Sequence, residues 1–95
     1  MARIKWRLEA VQNIDRLRGF LFAKDPGAAQ QAAYVIYHAV KRLEDRPEIG
    51  RPLSDGTKRR EIIIPFGASA YILRYVFEND NVFVLRIWHS RENKE

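Results

Sequence analysis

The side chains of this sequence that can do chemistry are mostly cations, gathered in its second half: Arg51, Lys58, Arg59, Arg60, Arg74, Arg86, His89 and Arg91. Arginine suits an oxyanion, because its planar guanidinium can donate two parallel hydrogen bonds to a phosphate or carboxylate. Histidine can move a proton near neutral pH. A ribonuclease can work from such a set, with arginines stabilising a phosphorane-like transition state and His or Tyr transferring protons. Other constellations find little support. Gly50, Gly56 and Gly67 compose no phosphate-cradling motif, and Ser54, Ser69 and Ser90 lack a nucleophile-elbow context. The acids are scattered, with no inward pair for glycosidase-like work. There is no cysteine, and His38 has no second ligand at a helical spacing, so no metal site and no cofactor are expected.

Three short strands must position those cations. The residues Arg59 to Ile64, Ala70 to Phe77 and Val82 to His89 are rich in β-branched and aromatic types and separated by polar punctuation. Pro65-Phe66-Gly67 ends the first, and Glu78-Asn79-Asp80-Asn81 supplies the turn between the other two. Such short connections make an antiparallel meander. Strict alternation puts Tyr71, Leu73, Tyr75 and Phe77 on one face and Ile72, Arg74 and Val76 on the other. Pairing Phe77 with Val82 then predicts Tyr71, Tyr75, Arg86 and Trp88 on a common face, with Arg74 and His89 opposite. An arginine beside tyrosine rings can stack on them or bind an anion.

Upstream, Arg3-Ile4-Lys5-Trp6-Arg7 alternates apolar and cationic residues, as a sheet-edge strand does when its charges discourage edge-to-edge association. A helix is expected from Leu8 to about Ala23, with Ala10, Ile14, Leu17 and Leu21 as its apolar stripe, widened by Val11 and Phe20. Gly19 would permit close packing against a second helix. Asp25-Pro26 is a helix start signal. The second helix reaches about Asp45, burying Ala29, Ala32, Ala33, Ile36, Val40 and Leu43, and leaves Tyr34, Tyr37, His38 and Lys41 on its flanks. Arg46-Pro47 ends it. Glu48 to Thr57 reads as a loop. The order is β-α-α-β-β-β, an α+β fold with a helical hairpin packed on a mostly antiparallel four-stranded sheet. Trp6, Leu17, Ile36, Val40, Ile63, Leu73 and Leu85 are the expected core.

The chain has 95 residues, which predicts one domain, 1–95. Its net charge of +5 is spread along the sequence and suggests an acidic partner, nucleic acid or protein. No apolar run approaches the roughly 20 residues of a membrane span, and the N-terminus has no signal-peptide apolar region, so a cytoplasmic protein without membrane contact is expected.

Three pieces resemble the RelE/ParE toxins of bacterial toxin–antitoxin modules, often labelled plasmid-stabilisation proteins. They are Pro47 to Pro52 (PEIGRP), the strand pair KRREI with AYILRY, and Val84 to Glu92 (VLRIWHSRE). Their order and spacing cover nearly the whole chain. The resemblance implies a toxin neutralised by a cognate antitoxin, with which it can form a hetero-oligomer. In the RelE branch, ribosome-dependent endoribonucleases that cut mRNA, an arginine follows the first tyrosine of the middle strand, lysines lie on the strand before it, and a tyrosine follows the last strand. Here the first position is Ile72, the preceding strand reads Glu61-Ile62-Ile63-Ile64, and no tyrosine follows Tyr75; only Arg91 matches. The ParE branch, which poisons DNA gyrase without a known catalytic residue, resembles the closing strand better. It implies Arg60, Arg86, His89 and Arg91 as target-binding residues. The RelE alternative implies the ribosome and mRNA as partners, with His89, Arg91 and Arg60 as the catalytic set.

Overall fold

The structure, a computed structural model, describes residues 1–92; residues 93–95 of the expected domain lie outside them. In chain order the elements are β1 (Arg3–Trp6), α1 (Leu8–Lys24), α2 (Pro26–Asp45), β2 (Arg51–Pro52), β3 (Arg59–Phe66), β4 (Ser69–Glu78) and β5 (Asn81–His89). The sheet order is β1-β5-β4-β3-β2, with β1 parallel to β5 and all other neighbours antiparallel. The fold is α+β, as expected, but the sheet has five strands rather than four. The additional strand is Arg51-Pro52 of the expected loop, laid beside Glu61 and Arg60. Two residues without an alternating pattern carry no strand signal; only the partner strand creates it.

Asp25 alone joins the two helices. Its N–H closes α1 on the Leu21 carbonyl at 2.7 Å, and its Oδ1 accepts from the Gly27 and Ala28 amides at 3.0 and 3.2 Å. Pro26 follows at the first helical position, where a missing N–H costs nothing. In α1, Ala10 and Leu17 are buried and Ile14 and Leu21 pack against them. Val11 and Phe20, expected to widen this stripe, are exposed. A Cβ added at Gly19 would meet nothing within 4 Å, so this glycine is not a packing notch. In α2 the buried set is Ala29, Ala32, Ile36, Ala39, Val40 and Leu43. Ala33 is exposed instead of buried, and Tyr34, Tyr37, His38 and Lys41 are exposed as expected.

β3 continues through Pro65 to Phe66, where a break was expected. β2 pairs only with Arg60 and Glu61, so this end of β3 is a sheet edge, where proline is tolerated. Gly67, at φ +60, turns the chain into β4. Asn79 and Asp80, at φ 53 and 62, form a tight turn in the left-handed region these residue types enter readily. Phe77 then pairs with Val82, the pairing expected of the Glu78–Asn81 turn.

The register does not hold to the end. Tyr75 pairs with Val84 but Arg74 pairs with Arg86, so Leu85 is the extra residue of a β-bulge. Before it, Val82 and Val84 face the helices; after it, Ile87 does. Arg86 and Trp88 therefore pair with Arg74 and Ile72 on the face away from the helices, and His89 pairs with Tyr71. The expected grouping of Arg86 and Trp88 with the tyrosines, and of His89 with Arg74, is overturned.

The core lies between the hairpin and one sheet face and includes Leu17, Ile36, Val40, Ile62, Ile64, Tyr71, Leu73, Tyr75, Val82, Val84 and Ile87. Three expected members are displaced. Ile63 alternates with Ile62 and Ile64, points away from the helices and is 60% exposed. Trp6 is 40% exposed at the sheet edge, and Leu85 is half-buried at the bulge. Leu73→Ala should thus cost about 2–5 kcal/mol. Ile63→Ala should stay within about 0.5 kcal/mol of the parent. Urea melts of both variants check the assignment of the packed face.

Candidate functional site

The four residues singled out as a functional surface, Arg60, Arg86, His89 and Arg91, do not converge on one site. Arg60 lies on the helix-facing side of β3, across from Tyr75. Its Nη1 donates to the carbonyls of Glu48 and Gly50 at 3.0 and 2.8 Å. The Tyr75 hydroxyl accepts from the Gly50 amide at 2.9 Å and donates to the Pro47 carbonyl at 2.8 Å. A Cβ at Gly50 would come within 2.5 Å of that hydroxyl, so the close approach requires glycine. Arg60 and Tyr75 thus clamp the Pro47–Gly50 segment to the sheet, satisfying backbone groups that have no strand partner. Arg60 is a structural residue here.

Arg86 sits on the opposite face in a row of charges that shares one register line. Arg51 of β2 pairs with Glu61 of β3, Glu61 with Arg74 of β4, and Arg74 with Arg86 of β5. Glu61 is the hub. Its Oε2 accepts from Arg74 Nε and Nη2 at 3.0 and 2.6 Å, and its Oε1 lies 3.4 Å from Arg51 Nη2. The Arg74 guanidinium lies over the Trp88 ring, 5.1 Å from its centroid. Glu9 of α1 closes the row, with Oε2 3.2 Å from Arg86 Nε; that N–H is buried and not aligned on any acceptor. The cross-strand Arg74–Arg86 pair is repulsive on its own. A carboxylate at each end offsets it.

His89 and Arg91 do meet, at the turn that ends β5. Ser90 extends the ladder, donating its N–H to the Ala70 carbonyl at 2.8 Å and accepting the Ala70 N–H on Oγ at 3.2 Å. The Arg91 amide donates to His89 Nδ1 at 3.1 Å, which places the neutral ring's proton on Nε2. The His89 ring also stands edge-on to Tyr71, with centroids 5.4 Å apart. Glu92 fastens the turn: its carboxylate accepts from the His89 amide at 3.1 Å and from both terminal nitrogens of Arg16 on α1. That hydrogen bond to Glu92 raises the Arg16 pKa. The Arg91 side chain is exposed and has no side-chain partner among the described residues.

Elsewhere, Asp55 holds the loop before β3 by accepting from the Thr57 hydroxyl and amide, which with Arg59 lowers its pKa to about 2. Between the helices lies a cleft of about 350 Å³, lined mainly by apolar groups including Trp6, Val11, Leu21, Ile36 and Tyr37. No group of three or more potential metal ligands occurs among the described residues. Glu61, Glu9 and Glu92 were not anticipated as organisers of the site. Glu61 stands among β-branched residues in KRREI, and its charge at a strand position was the available signal, but its partners depend on register. Glu9 and Glu92 act through tertiary contacts that no local pattern announces.

The sequence profile of the family described as "ParE toxin of type II toxin-antitoxin system, parDE" matches residues 4–94. The chain is 39% identical over 87 residues to a protein named Toxin RelE1 from Caulobacter vibrioides, covering 92% of this chain and 91% of that one. It is 33% identical to Toxin RelE3 of the same organism, over 90% of both chains. Among solved structures, a chain of the chromosomal ParDE toxin–antitoxin system from P. aeruginosa superposes with a TM-score of 0.74 at 22% identity, covering 94% of this chain and 96% of that one. A chain of the intact E. coli RelBE toxin–antitoxin complex gives 0.68 at 14% identity, covering 97% and 100%. At such identities the two structures speak for the fold.

The Tyr75 clamp makes a prediction about stability. Tyr75→Phe leaves the Gly50 amide and Pro47 carbonyl without their partner and should cost about 1–3 kcal/mol. Burial raises the pKa of both Tyr75 and Tyr71, so the fold favours their protonated forms. That part of the stability is full below the ordinary tyrosine value of about 10 and is lost as pH rises through the raised native values. Denaturant melts between neutral and alkaline pH should show this fall, and Tyr75→Phe should shrink it.

Proposed function

This chain belongs to the ParE toxin family of type II toxin–antitoxin systems, and we propose that it arrests growth by binding DNA gyrase in the cytoplasm, held in check by a cognate antitoxin. The observation that carries the gyrase reading is the commitment of the arginines. Arg60 serves backbone carbonyls, Arg74 and Arg51 share Glu61, and Arg86 faces Glu9. Ile72 stands where the RNA-cleaving branch places an arginine. A phosphoryl transition state needs donors aimed at its developing charge. Within this set only Arg91 is disengaged, and a single exposed guanidinium supports binding better than catalysis. On this reading the chain has no catalytic residue of its own, and Arg91 contacts the target.

The antitoxin reading is supported by the family and by the apolar cleft between α1 and α2, which fits the apolar face of a partner segment. No described helix is long and apolar enough to cross a membrane.

The RNA-cleaving reading keeps one specific support: the relatives at 39% and 33% identity carry RelE names. In that case the imidazole of His89, next to Arg91, would act as the general acid or base.

His89→Asn separates the two, because Asn Oδ1 can replace Nδ1 as the acceptor for the Arg91 amide while removing the proton-transferring ring. In an inducible bacterial host with plasmid supercoiling and mRNA cleavage read side by side, the gyrase reading expects His89→Asn to arrest growth like the parent. Arg91→Glu should lose the arrest at unchanged melting temperature. A folded His89→Asn protein in which arrest and cleavage fall together by about 10²–10⁴ would establish the ribonuclease instead.

A further inference from the structure

The helices are electrically neutral and the strands are not. Residues 8–45 contain five basic and five acidic side chains, whereas the rest of the chain contains twelve and seven. The entire +5 therefore resides on the strands, loops and termini, although the sequence read linearly spreads it. On the strands, the fold turns many of these cations to the sheet face away from the helices, which no described element covers. Arg51, Arg74 and Arg86 lie there on one register line. Arg59 pairs with Val76 and Lys5 with Phe83, while Arg7 lies over the Phe83 ring, 5.0 Å from its centroid.

The same face is apolar between the charges. Ile63 is 60% exposed on it, where β3 runs past β2, beside the half-buried Ile72. The edges disfavour a further strand: β1 is cationic, β2 is two residues long and contains proline, and the edge that β3 presents past β2 carries Pro65. A partner is therefore better placed across the face than as an extension of the sheet.

We infer that this open face is a docking surface for an acidic segment of the toxin's protein target, with Ile63 as the apolar anchor and the Arg51–Glu61–Arg74–Arg86 row as the electrostatic guide. The inference rests on the proposed gyrase reading for the identity of that target. Two features favour protein over nucleic acid. Single-stranded nucleic acid is gripped by stacking bases on exposed aromatic rings and by free cations along its backbone. Here Trp88 is 8% exposed with Arg74 over it, Phe83 lies under Arg7, and the fully presented apolar side chain is an isoleucine. Glu61 and Glu9 also offset two of the row's three positive charges, which suits carboxylates with a matched geometry better than a dense polyphosphate.

Ile63→Glu tests this, since an exposed position tolerates the change and the new charge opposes an acidic partner. Affinity for purified gyrase should fall about tenfold or more, with melting temperature and antitoxin affinity unchanged, and Tyr34→Glu on the hairpin should bind gyrase as the parent does. If Ile63→Glu binds gyrase as tightly as the parent, this surface is refuted while the gyrase reading stands. If the parent itself does not bind gyrase, that reading fails, and the surface is judged by two probes: a glutamate-rich peptide and an oligouridylate of equal charge. Binding of the peptide to the parent but not to Ile63→Glu, together with loss of growth arrest in that variant, upholds an acidic protein partner. Preferential binding of the oligouridylate, abolished by Ile63→Glu, overturns it.

Discussion

Between Val84 and Arg86 the last strand carries one residue that the neighbouring strand does not oppose, and the arrangement of the charged sheet face depends on it. A side chain changes face with each residue of a strand, so one inserted residue inverts everything downstream. Without Leu85 as a bulge, Arg86 and Trp88 would point at the helices, where a guanidinium would need desolvation and a paired carboxylate in the core. With it, Ile87 fills that place, Arg86 reaches Glu9 at the end of the charged row, and His89 comes beside Tyr71. The bulge thereby separates an apolar interface with the hairpin from a charged outer face.

The two faces are also held by different means. On the inner side the irregular Pro47–Gly50 segment needs partners for its backbone groups, and Arg60 and Tyr75 supply them from adjacent strands. This is why PEIGRP reads as a motif: Gly50 allows the approach to Tyr75, and Arg51-Pro52 forms the short edge strand. On the outer side the stabilising contacts are ion pairs, partly screened by solvent and individually modest. Their consequence is orientation, since they hold arginines in place that would otherwise sample many rotamers.

On the proposed reading, that distribution suits a toxin that acts by binding. A neutral hairpin with an apolar cleft and a cationic sheet face are two chemically different surfaces on a chain of 95 residues. The closing turn, with Glu92 tied to Arg16, presents the Arg91 side chain from a fixed base. A small fold can in this way offer separate contacts to an inhibitor and to a target.

The sequence by itself determined the types and order of six of the seven elements and most of the helical interface. Asp25-Pro26 marks a helix start through local capping chemistry, Ile36 and Val40 mark a buried stripe through helical spacing, and Tyr71, Leu73 and Tyr75 mark a buried strand face through period two. All of these are short-range regularities. Tertiary structure decided the rest, because those residues' partners lie far away in sequence. Arg51-Pro52 becomes a strand only against Glu61 and Arg60. Ile63 is exposed because its neighbours on both sides are chosen by the core. Arg60, read as functional, is a clamp because Glu48 and Gly50 return to it. Arg86 and His89 exchanged faces because no short-range regularity marks where a bulge falls, and only the opposing strand reveals which register the core selects.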